Sequence, residues 1–146
     1  MRQAHGALVE VKASFDQLLA LCDVLEEIAD SLPHRLNHQR CLRAAQLIGP
    51  LLRDAHAAEE ALLFPRIFAV HAQGAAVVEQ LRLEHLEDEC FAEEVQFELQ
   101  RLGCHKPVLA PEATGYMLRG FFECLRRHIR HERDLLANLP VNIALN

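Results

Sequence analysis

The sequence predicts an all-α chain folded as an antiparallel up-down-up-down four-helix bundle, and three observations predict it. Tryptophan is absent and tyrosine occurs once, while Leu, Ala, Glu, Gln and Arg outweigh the β-branched residues, a composition that favours helices over strands. Apolar residues recur at three- and four-residue steps along four long segments. The breaks between these segments are short and rich in Gly and Pro, and short connections make consecutive helices antiparallel neighbours. At 146 residues and 51% hydrophobic content, one domain spanning 1–146 can bury a sizeable core without disulfides.

The first helix is expected over about 4–31, where Phe15, Leu18, Leu19, Cys22, Leu25, Ile28 and Leu32 share a face and Pro33 ends the run. The second is expected over 37–70, with Cys41, Ala45, Ile48, Leu52, Ala55, Leu63 and Ile67 inward. Gly49-Pro50 and Pro65 should bend or fray it. After the connection His71-Ala72-Gln73-Gly74, the third helix spans 76–102 with Val78, Leu81, Leu86, Ala92, Val95 and Leu99 inward, and Gly103 closes it. A loop from Gly103 to Pro111 leads to the fourth helix over 112–138, with Leu118, Phe121, Leu125 and Leu135 inward. The tail from Val141 to Asn146 is too short to define an element.

A formal charge of −6 argues against a nucleic-acid partner. The five cysteines form no C-x-x-C, and an odd number cannot all pair within one chain, so a reducing cytoplasm is the expected compartment. No apolar run is long enough to span a bilayer, and the start of the chain leads into an amphipathic segment, so no membrane association is expected.

Chemistry concentrates in three His-x-x-x-Glu pairs, His56/Glu60, His85/Glu89 and His128/Glu132. Residues i and i+4 point along one helix face, so each pair offers a nitrogen and an oxygen to one point. Taken singly, such a pair is an ordinary solvated contact. Folding the second helix on the third about Ala72, and the third on the fourth about Pro107, brings all three pairs to one level. On the fourth helix the stripe Leu118, Phe121, Leu125 runs directly into His128 and Glu132, where apolar residues would otherwise stand. Burying several ionisable groups together costs several kcal/mol unless they are paired or bind a cation. Imidazoles with bridging carboxylates suit two iron ions, or manganese, whereas a structural zinc site would more often recruit closely spaced cysteines. Positions left open on such metals would admit a small ligand.

The segments His56-Ala-Ala-Glu-Glu60-Ala-Leu-Leu-Phe-Pro65, Glu84-His85 and His128-Ile-Arg-His-Glu132 resemble the hemerythrin-like HHE domain family, and the resemblance covers nearly the whole chain. It implies an antiparallel four-helix bundle with a di-iron site, and a function among oxygen carriers, oxygen or nitric-oxide sensors and proteins of peroxide or iron handling. It also implies that His56, Glu60, His85, His128 and Glu132 are ligands. Two departures stand out. The family usually supplies a histidine from the first helix, yet the matching level here holds Ala13-Ser14-Phe15-Asp16. Asp16 is the only strong ligand at that height, Phe15 has the better inward phase, and His5 lies about 16 Å away along the axis. In the third helix the oxygen carriers present two histidines four residues apart, where this chain has His85 and Glu89. The added carboxylate favours a ferric site that oxidises easily.

The remaining residues have plainer readings. Glu59 is the alternative to Glu60, with the i+4 spacing selecting Glu60. Cys22, Cys41, Cys90 and Cys124 read as packed thiols, and Phe64, Phe91, Phe97, Phe121 and Phe122 as core. Arg126, Arg127, Arg130 and Arg133 read as complementing the C-terminal helix dipole. His131 reads as surface. The expected function is a cytoplasmic di-iron protein whose partner is a diatomic gas or peroxide. Its alternative is an iron- or redox-dependent sensor module that engages a protein partner, or a second copy of itself, without turnover.

Overall fold

The computed structural model describes residues 2–140, with side chains from Gly6 onward. The tail after Pro140 lies outside the described residues. Every regular element among them is helical: α1 (Arg2–Ser31), α2 (His38–Ala58), a π-helical turn (Glu59–Leu63), α3 (Phe64–Val70), α4 (Gly74–Gly103) and α5 (Pro111–Ala137). Because α2, the π turn and α3 follow one another without a gap, they form one interrupted helix, so four long helical segments result.

The stops lie where the residue chemistry puts them. α1 ends two residues before Pro33. Asn37 adopts an extended backbone and its side chain accepts a hydrogen bond from Arg40 N at 3.1 Å, capping α2. α5 opens on Pro111, whose missing N–H costs nothing in the first turn. Pro50 sits inside α2 without breaking it. Its ring is exposed, so the carbonyl it leaves without a donor lies on the solvent side. Pro65 has the larger effect. It follows the π turn, whose closing hydrogen bond runs from Phe64 N to Glu59 O, five residues back. A proline ring collides with the carbonyl four residues before it, and widening the preceding turn relieves that contact.

α1 packs against α2 and α5, and α4 packs against α2, α3 and α5. Phe15, Phe64, Phe121 and Phe122 are fully buried at the centre with Leu18, Leu52, Leu63 and Leu81. Each such side chain contributes about 1.5–3 kcal/mol by leaving water. Along the α1–α5 seam, Arg119 pairs with Asp30 at 2.8 Å, Arg126 with Asp23 at 2.8 Å and Glu26 at 3.2 Å, and Arg133 with Asp16. The partners on α1 fall in number as those on α5 rise.

Four readings of side chains change. Leu86, expected inward, is 61% exposed, because the neighbouring His85 takes the inward position on α4 and adjacent residues point about 100° apart. Phe97 and Cys90 also face outward on α4, while Cys22 and Cys41 are buried as expected. Arg126 and Arg133 pair with acids of α1 rather than serving the helix dipole.

Candidate metal centre

Three segments bring ionisable side chains into the apolar interior. The last turn of α2 contributes His56, the π turn contributes Glu59, α4 contributes His85 and Asp88, and α5 contributes Glu132, all buried. His85 is the hub. Its Nε2 makes a hydrogen bond with Glu132 Oε1 at 2.9 Å. Glu59 Oε2 lies 2.8 Å from the same nitrogen, yet makes no hydrogen bond there, since one ring nitrogen serves one partner. On its other side His85 Nδ1 meets Glu60 Oε1 at 3.3 Å, and its ring stacks on His56 at 3.7 Å and on Phe64 at 5.2 Å. Glu59, His85 and Glu132 each present a ligand atom within 4.8 Å of the others.

A second cluster adjoins the first on α4 and α5. His128 Nδ1 bonds Asp88 Oδ2 at 2.6 Å, and His128 Nε2 lies 3.6 Å from Cys124 Sγ. Asp88, Cys124 and His128 again present ligand atoms within 4.8 Å of one another. Because Asp88 follows His85 by three residues and Glu132 follows His128 by four, the clusters sit about one helical turn apart.

The residues expected from sequence are placed unequally. His56, His85 and Glu132 come together at one level, and His128 lies about one turn from them beside Asp88. Glu60 reaches His85 but keeps its side chain 41% exposed, whereas Glu59 is 1% exposed. Glu89 stands 3.6 Å from His56 Nδ1 at the margin, and that nitrogen makes no hydrogen bond. Asp16 is turned to the surface and paired with Arg133, outside both clusters, while Phe15 fills the inward position beside it. Glu59, Asp88 and Cys124 were not selected by the i+4 rule applied from histidine to glutamate. A broader rule would have found the last two, since Glu84/Asp88 and Cys124/His128 are also pairs four residues apart.

The electrostatics record groups crowded without enough countercharge. Burial, reinforced by Glu60 and Asp88, pushes the Glu59 carboxyl up to about 7. Burial also pushes Glu132 up to about 8, despite its bond to His85. Burial and the neighbouring His85 and His128 hold His56 down to about 3. For His85, burial is outweighed by Glu132 and then Glu60, so its pKa rises. The hydrogen bond that His128 donates to Asp88 raises the pKa of His128. Buried carboxyls that keep their protons near neutrality, with Glu59 Oε2 and His56 Nδ1 making no hydrogen bond, are what a cation-binding donor set becomes when protons stand in for the cation. The donors therefore fit a metal.

No helix among the described residues is long and apolar enough to cross a membrane. No curated protein and no solved structure matches the chain. A family model described as the hemerythrin HHE cation binding domain matches residues 8–139, a span that includes every donor named above and implies a metal-binding site. The chain belongs to the hemerythrin HHE cation-binding domain family.

Proposed function

We propose that this chain is a cytoplasmic non-haem di-iron protein that binds or reacts with dioxygen, nitric oxide or peroxide, and that residues 1–146 form one antiparallel up-down-up-down bundle. The observation that carries the reading is the pair of adjoining donor clusters, the buried Glu59/His85/Glu132 and the partly buried Asp88/Cys124/His128, set against a core of apolar side chains. The descending order of α1 acids met by the α5 arginines supports the antiparallel arrangement. His56, His85 and His128 would supply imidazole nitrogens, and Glu59 and Glu132 would supply carboxylate oxygens beside His85. Glu60 and Glu89 close the margin of the site. Two irons in such a donor set supply electrons and open positions for a small ligand, and manganese suits the same donors.

The surrounding residues have their own tasks. Phe64, stacked on His85, and the buried Phe15 keep bulk water from the α1 and π-turn side. Arg133 holds Asp16 at the surface, leaving the side toward α1 without a charged donor.

The test is metal analysis, with an absorption spectrum, of protein purified from iron-replete cells. Two irons per chain with oxo-bridge absorption are expected. Protein that stays metal-free after iron loading would overturn the reading. Rapid peroxide consumption by the iron-loaded protein would mark a reactive centre, and iron-dependent capture of a partner without turnover would mark a sensor module.

A further inference from the structure

The seam between α4 and α5 brings a sulfur to the site. Glu84 and Asp88 lie one turn apart on α4, and Cys124 and His128 lie one turn apart on α5. His128 is held between the two helices. Its Nδ1 bonds Asp88 Oδ2 at 2.6 Å, while Nε2 faces Cys124 Sγ at 3.6 Å and Glu84 Oε2 at 4.0 Å. Two helices that met only to bury apolar surface would need none of these four groups. Three of them, Asp88, Cys124 and His128, present donor atoms mutually within 4.8 Å.

We propose that Cys124 is a thiolate ligand of one of the two metal positions, together with His128 Nε2 and Glu84, and that Asp88 is the positioning residue that fixes His128. The inference rests on the two-metal reading above. A carboxylate that accepts the Nδ1 hydrogen of an imidazole fixes its tautomer and turns Nε2, as a bare lone pair, toward the metal. The short Asp88–His128 bond is that arrangement, and the atoms Nε2 then faces are the thiol and Glu84. On metal binding the S–H bond breaks, the sulfur lone pair forms the S–metal bond, and the proton passes to water. The consequence is a two-metal centre with unlike halves. The position served by Glu59, His85 and Glu132 is hard and oxygen-rich, whereas the position at Cys124 is softened by sulfur and favours borderline cations such as cobalt(II) or zinc.

Cobalt(II) is the probe. Full-length protein is stripped of metal, reloaded with cobalt, and followed by near-ultraviolet absorption, by equilibrium dialysis and by X-ray absorption at the cobalt edge. The wild type is expected to show a thiolate-to-cobalt charge-transfer band and one sulfur scatterer per two cobalt ions. Cys124→Ser should lose both signals, keep cobalt at the first position with an unchanged helical circular-dichroism spectrum, and weaken the second position about 10–100-fold. Asp88→Asn should keep the band while weakening the same position. Bound cobalt without sulfur in its shell, or a band that persists in Cys124→Ser, would overturn the proposal and leave the two-metal reading standing. If Cys124→Ser does not fold, the sulfur scatterer in a Cys90→Ser/Cys104→Ser variant, which lacks the two exposed thiols, decides. Failure of the wild type to bind cobalt or iron at all would overturn both.

Discussion

Glu59 and Glu60 are neighbours in sequence with opposite surroundings: the first is buried against His85 and the second is 41% exposed. Substitution should separate them. Glu59→Gln is expected to weaken metal binding about 100-fold, and Glu60→Gln about tenfold or less, as read by chelator competition. Proton linkage gives a second expectation. In the folded, metal-free chain Glu59 and Glu132 keep their protons up to about 7 and about 8, against an ordinary value of 4.5. The folded state therefore binds more protons than the unfolded state between those limits, and stability falls as pH rises through them. His85 and His128, whose pKa values are raised, act in the same direction. His56, held at about 3 against 6.5, opposes them only below 6.5. Chelator-treated protein should thus melt at a lower temperature at pH 8 than at pH 6.5, and Glu132→Gln should flatten that difference. At this scale the histidines were legible, because each lies in phase with an apolar stripe. The choice between Glu59 and Glu60 was not, since i+3 and i+4 residues share a face in a regular helix and this one widens between them and Pro65.

The helices themselves were legible to within a few residues, because Pro33, Gly103 and Pro111 interrupt the chain chemically as well as in pattern. In the sequence Pro50 and Pro65 look alike, each an interruption of a helical pattern. Both rings are exposed, and the two differ in the turn before them: Pro50 lies within a continuous α2, while Pro65 follows the π turn. Close packing between elements also sets an expectation at Gly74, where α4 begins. A Cβ there would stand 2.6 Å from the Phe68 carbonyl oxygen and 2.8 Å from Phe68 Cα. Gly74→Ala should destabilise the fold by about 1–3 kcal/mol in urea. Gly115, inside α5 with open space around it, should behave oppositely, and Gly115→Ala should stabilise by about 0.5–1 kcal/mol.

At the scale of the molecule, loop positions fix which heights face one another, and matching the levels of the His-x-x-x-Glu pairs puts His56 opposite His85, whose rings stack at 3.7 Å, while His128 stands about one turn away. That matching passed over Asp88 and Cys124 because it followed only pairs running from histidine to glutamate, although the contact of Asp88 with His128 is made only where α4 and α5 lie side by side. The same assembly predicts how the molecule responds to metal. A cation that binds only the folded state, at a free concentration 100 times its dissociation constant, adds about 2.7 kcal/mol. Iron loading should raise the melting temperature by roughly 5–10 °C, and a chelator should reverse the rise.

The protons crowded onto Glu59 and Glu132 carry this response beyond the test tube. A chain that holds buried acid groups in place of a cation has a larger share of opened molecules at any moment, and opened molecules are what proteases consume. Iron supply would then set the lifetime of the polypeptide as well as its chemistry. Cells starved of iron should show a lower steady-state level of this protein at unchanged messenger abundance, and Glu132→Gln, which removes one of the trapped acids, should blunt the decline.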